Sequence, residues 1–84
     1  MKFQVILPKS VHKQLDRLAD EVSRRVLDRL HELENNPRPA DVKKLKGRPA
    51  WRVRVGDYRI IYEIHDRKLQ IVVITVGHRR EVYR

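Results

Sequence analysis

The chain has no cysteine, only three glycines among its 84 residues, and a single tryptophan. Without cysteine, neither a disulfide framework nor a thiolate metal site holds it together, so stability has to come from packing. Long hydrophobic runs are missing too. The opening Met1-Lys2-Phe3-Gln4-Val5-Ile6-Leu7-Pro8 has only a short apolar stretch, and nothing approaches the roughly 20 residues that a membrane span needs. No signal peptide is visible, which places the expected site of action in the cytoplasm and away from membranes. There is no phosphate-binding glycine loop, no paired-histidine helix motif and no nucleophilic serine elbow, and no internal repeat. No metal site and no cofactor is therefore expected.

Charge is what the chain has in excess. Twenty Lys and Arg stand against eleven Asp and Glu, a formal +9, which on so small a body favours polyanionic partners. Residues 1–36 carry seven basic and six acidic side chains, net +1, whereas residues 37–84 carry thirteen and five, net +8. The binding surface therefore belongs to the second half. A chain this short buries about 60% of its unfolded surface, enough for one domain, residues 1–84, and one modest core.

Residues 2–7 are rich in β-formers and stop at Pro8, which predicts a first strand. From Ser10, the residues Val11, Leu15, Leu18, Val22, Val26, Leu30 and Leu33 recur at steps of three and four, giving one apolar helical stripe. One helix over 10–35 would run about 39 Å, longer than the roughly 30 Å width of a domain this size. A break near Ala19 and Asp20 is expected, with Asp20 as N-cap of a second, antiparallel helix. Asn35-Asn36-Pro37-Arg38-Pro39 ends the pattern, since proline removes a donor and displaces its predecessor from the helical region. Ala40 to Pro49 reads as a basic connector.

Residues 50–76 then predict a three-stranded antiparallel meander: Trp51–Val55, a Gly56-Asp57 turn, Tyr58–His65, an Asp66-Arg67 turn, and Lys68–Val76. Gly77 is expected to end the last of these, and residues 81–84 to add a short strand. The order implies an α+β domain: an N-terminal strand, a two-helix hairpin, then an antiparallel three- to four-stranded sheet with helices packed on one face.

A two-residue turn at Gly56-Asp57 puts Val55 opposite Tyr58, Arg54 opposite Arg59 and Arg52 opposite Ile61. Arg52, Arg54 and Arg59 then share a face. Like charges directly opposed on a sheet repel, and a phosphate between them relieves the cost. Arginine suits that role, because its planar fork grips two phosphate oxygens and keeps its charge. An arginine stripe is otherwise an ordinary solvated sheet face; the opposed pair is what favours the phosphate cradle. His78, Arg79, Arg80 and Tyr83 follow the next strand and are within reach of this face, Tyr83 to stack on a base or join proton transfer. The other reading of this segment is a loose basic tail. Trp51, Tyr58, Ile60 and Tyr62 alternate with the arginines and are expected in the core. His12, His31 and His65 are expected to be surface or structural residues.

Trp51 to Arg59, Ile60-Ile61-Tyr62-Glu63, Val76-Gly77-His78-Arg79 and Glu81-Val82-Tyr83 together resemble the RelE/ParE toxin superfamily, most closely its RelE branch. The two amphipathic helices, the Asn-Pro stop and Lys44-Leu45-Lys46-Gly47 extend the likeness over the whole chain. The resemblance implies a RelE-like microbial RNase fold and a toxin of a type II toxin-antitoxin system. Such a toxin is a ribosome-dependent endoribonuclease that cleaves messenger RNA in the A site by metal-independent 2′-hydroxyl attack. The implied partners are the ribosome, messenger RNA and an acidic antitoxin, in a hetero-oligomer.

By the same resemblance, Arg59 stabilises the transition state, Arg79 lies at the leaving oxygen, and Tyr83 stacks on the nucleotide and orients its 2′-hydroxyl. Lys44, Lys46, His78 and Arg80 are expected to bind RNA or phosphate. Arg52 and Arg54 stand where RelE enzymes typically have lysines. Arginine stays protonated up to a pKa of about 12 or above, so these two are read as electrostatic activators, and Tyr83 or His78 is left to take the proton, histidine having the more suitable unperturbed pKa of about 6.5. The alternatives are a ParE-like inhibitor of DNA gyrase, which does no RNA chemistry, and a non-catalytic RNA-binding module.

Overall fold

A computed structural model of the chain describes residues 2–78; Met1 and residues 79–84 lie outside the described residues. The apolar stripe forms two helices, α1 (Lys9–Asp16) and α2 (Asp20–Asn35). The break falls where the length argument requires, in a body whose longest extent is 33 Å. The N-cap of α2 is Ala19, with extended ψ, and no side chain caps the helix. Asp20 is instead the first helical residue, where with Glu21 it sets negative charge against the positive end of the helix dipole. Pro8 stands at the N-cap of α1, so that helix starts one residue before Ser10.

Among the described residues, five strands form one sheet in the order β1-β5-β4-β3-β2: β1 (Gln4–Ile6), β2 (Lys43–Lys44), β3 (Trp51–Val55), β4 (Tyr58–His65) and β5 (Gln70–His78). The fold is the expected α+β class, with three differences from the expected strands. The basic connector contains β2, which pairs antiparallel with β3 across a tight loop closed by the Leu45 N–H donating to the Ala50 carbonyl at 2.9 Å. The Asp66-Arg67 turn is a 3-10 turn, Asp66–Lys68, followed by Leu69 with φ +52°. Finally, β5 runs through Gly77 to His78, because both residues pair with β4.

β1 pairs parallel to β5, Gln4 with Gln70 through Ile6 with Val72. Beyond Val72, no strand among the described residues lies along the outer edge of β5, and α1 takes over. The Gln14 side chain accepts from the Val76 N–H at 2.8 Å and donates to Thr75 Oγ1 at 3.0 Å. One amide thus covers edge groups whose burial without partners would cost about 1–3 kcal/mol each.

The core lies between helices and sheet. Val11 and Leu15 from α1 and Val26, Leu30 and Leu33 from α2 meet Val53, Ile60, Tyr62, Ile71, Val73 and Val76. Ile71 and Val73 keep the period of two, but Val76 is three residues further on. A register shift opposite Ile61 and Tyr62 resolves this by leaving Ile74 between the partners of those two residues; Ile74 is exposed while Val73 and Val76 are buried. An extra residue of this kind is how one strand keeps both segments facing the same core. Of the expected core aromatics, Tyr62 is fully buried, whereas Trp51 and Tyr58 are half-buried. The Arg38 guanidinium stands 5.5 Å from the Trp51 ring centre and pairs with Asp66 at 2.9 Å.

Candidate active site

The hairpin between β3 and β4 turns on Gly56, whose φ of +59° suits glycine. That turn sets the register: Val55 opposite Tyr58, Arg54 opposite Arg59, Arg52 opposite Ile61. Arg52, Arg54 and Arg59 therefore project from the face opposite the helices. Arg54 is exposed, and Arg59 is buried at 3% exposure. Cβ atoms of directly opposed residues are about 4.5–5.5 Å apart, so two fixed positive charges are held side by side. Burial in a lower dielectric strengthens whatever electrostatic interaction the Arg59 guanidinium makes. Ile61, buried at 5% exposure, gives this face an apolar floor next to Arg52 and Arg59.

β2 extends the face. Lys43 pairs with Arg52 and Lys44 with Trp51, so Lys43 projects with the arginines and Lys44 with the core-facing side. A cleft of about 400 Å³ is lined by Asp41, Lys43, Arg52 and Arg54. Asp41 is engaged from α2: Arg29 contacts both Asp41 oxygens at 2.5 Å and Glu32 at 3.1 Å. Burial alone would lower the Arg29 pKa, but the hydrogen bonds it donates to Glu32 and Asp41 outweigh it and raise the pKa above its ordinary value.

The sequence-derived candidates therefore separate. Arg52, Arg54 and Arg59 are brought together. Lys44 is not with them, because its strand position turns it to the opposite face. His78 is not brought to this cradle either: it pairs with Tyr58, one position out of phase with Arg59 and Gly77. Its ring meets Tyr58 edge-on at 5.6 Å, in a separate cleft of about 300 Å³ with Gln14 and Arg17. Lys46 is exposed at the β2–β3 loop. Arg79, Arg80 and Tyr83 lie outside the described residues. The residue that sequence reasoning missed is Lys43. The signal was present in the loop from Lys46 to Pro49, whose length decides which member of the Lys43-Lys44 pair shares a face with Arg52.

The face thus defines a class: a small α+β protein whose sheet displays converging cations. The family model for the ParE toxin of type II toxin-antitoxin systems matches residues 5–83. The chain is 31% identical to the putative toxin RelE1 of Methanocaldococcus jannaschii, over all of this chain and 98% of that protein. It is 33% identical to the messenger-RNA interferase toxin RelE of Escherichia coli, over 84% and 79%. In the crystal structure of the RelE-RelB complex from Pyrococcus horikoshii, a chain 34% identical superposes with a TM-score of 0.83 over 94% of this chain and 97% of that one. The chain belongs to the RelE/ParE toxin superfamily and is of the RelE type.

Proposed function

We propose that this toxin is a ribosome-dependent endoribonuclease that enters the A site and cuts the messenger RNA there, without a metal ion. It rests in the cytoplasm in a hetero-oligomer with an acidic antitoxin. The observation that carries the reading is the opposed Arg54–Arg59 pair, with Arg52 on the same face. The messenger-RNA interferase name of the E. coli relative and the RelB-bound P. horikoshii neighbour support it.

In this reaction the RNA 2′-hydroxyl oxygen attacks the adjacent phosphorus, the bond to the 5′-oxygen breaks, and the products carry a 2′,3′-cyclic phosphate and a 5′-hydroxyl. The Arg59 guanidinium stabilises the charge that builds on the phosphoryl oxygens, and Arg79 serves the leaving oxygen. Arg52 and Arg54 hold the phosphate in line and draw charge toward the attacking oxygen. With His78 on the other face, Tyr83 in its phenolate form takes the 2′-hydroxyl proton and also stacks on the nucleotide, while the 5′-oxygen leaves beside Arg79 with a proton from water.

Purified protein added to translating ribosomes, with 5′ ends mapped by primer extension, tests the proposal. Codon-phased cuts are expected. Intact message together with blocked supercoiling by gyrase would replace this reading with the ParE one, which the description of the matching family model favours. RNA retained but uncut would reduce the protein to a binding module.

A further inference from the structure

We propose that Lys43 is a substrate-gripping residue of this same face, taking the RNA phosphate next to the scissile one. The proposal deepens the nuclease reading and rests on it. Two independent observations place the side chain. Lys43 is the cross-strand partner of Arg52, and directly opposed residues project to one side of a sheet. It also lines the cleft of about 400 Å³ together with Arg52 and Arg54.

Lys43 stands two strands from Arg59 in the order β4-β3-β2, a lateral offset of about 10 Å at the usual interstrand spacing. That offset suits successive phosphates along one strand better than two ligands of one phosphate. Arg52 and Arg54, on the strand between, bridge the two positions. Among the described residues lining the cleft, Asp41 alone repels a phosphate, and Arg29 grips both of its oxygens from the side of α2. The lysine on β2 therefore continues the run of cations to the edge of the sheet. Its neighbour Lys44 has the same charge but faces away.

The pair makes a controlled experiment. On programmed ribosomes, Lys43→Ala is expected to raise KM about tenfold while kcat stays within about twofold, the pattern of lost ground-state binding. Lys43→Arg restores KM, because the role requires a charge and not a proton acceptor. Lys44→Ala raises KM less than Lys43→Ala does. Binding of a short single-stranded RNA, followed by fluorescence anisotropy across a salt series, gives a second readout. Loss of one phosphate contact flattens the log–log salt slope by about 0.7, a change that a purely structural lysine would not produce.

An unchanged slope with unchanged KM would overturn the assignment. So would equal losses at Lys43 and Lys44, or a fall in kcat at constant KM. If the wild-type protein leaves message uncut, the nuclease reading fails, and the salt slope still decides whether Lys43 contacts phosphate.

Discussion

Replacing Arg59 with Met separates what the cradle costs from what it does. Arg59 is 3% exposed and directly opposes Arg54, and methionine keeps much of the unbranched stem while removing the charge. An opposed like-charge pair on a sheet is destabilising by about 0.2–1 kcal/mol, so Arg59→Met brings a gain of up to about that amount from the Arg54 contact. The gain shrinks as salt screens the repulsion in the wild-type protein. Activity moves the other way. Removing one preorganised donor at a developing oxyanion typically lowers kcat by about 10²–10³. Urea denaturation at low and moderate salt gives the first quantity, and primer extension on translating ribosomes gives the second. A loss of more than about 2 kcal/mol in stability would show Arg59 to be a structural pin. Cleavage at the wild-type rate would remove it from the site.

Three further outcomes follow from the fold. The Tyr62 hydroxyl donates to the Pro37 carbonyl at 2.8 Å, and burial pushes its pKa up to about 12 from 10.0. The unfolded chain releases this proton first, so stability falls as pH rises from 10 to 12, by about 2–3 kcal/mol in all; Tyr62→Phe abolishes that slope in a pH series of urea melts. The Arg38 hydrogen bond holds the Asp66 carboxyl below its ordinary pKa, so the pair's contribution is present above the ordinary carboxylate range and lost as pH falls through the lowered pKa. Carbon-detected NMR titration of Arg38→Gln should return Asp66 toward its usual value, and an unmoved pKa would contradict the pairing. Gln14→Ala exposes the Val76 amide and is expected to speed its hydrogen exchange, with a stability cost of about 1–3 kcal/mol; unchanged protection at Val76 would show that another group covers that edge.

The helices and the β3–β4 hairpin were legible in the sequence because local signals set them: the apolar stripe from Val11 to Leu33, and a glycine turn that fixes the Arg54–Arg59 register. What was not legible depends on contacts distant along the chain. The parallel pairing of β1 with β5 leaves no local signature. The two residues of β2 are too few for a pattern, and their register is set by the loop through Gly47. That loop decided Lys43 over Lys44. His78 was grouped with the arginines because basic and aromatic residues close together late in the chain read as one group, whereas strand alternation sends His78 and its neighbour Gly77 to opposite sides. The N-cap at Ala19 in place of Asp20 is a shift of one residue, where a helical carboxylate serves the dipole as well as a capping one.

The parallel edge also sets a timetable for synthesis. Gln4 meets its partner only once Gln70 exists, and at about 5–20 residues per second that wait lasts roughly 3–13 s. The helices and Arg52, Arg54 and Arg59 are all made within that wait, before the sheet that holds them in place is complete. The face that carries the three arginines therefore gains its full five-stranded support only after Gln70 has been made.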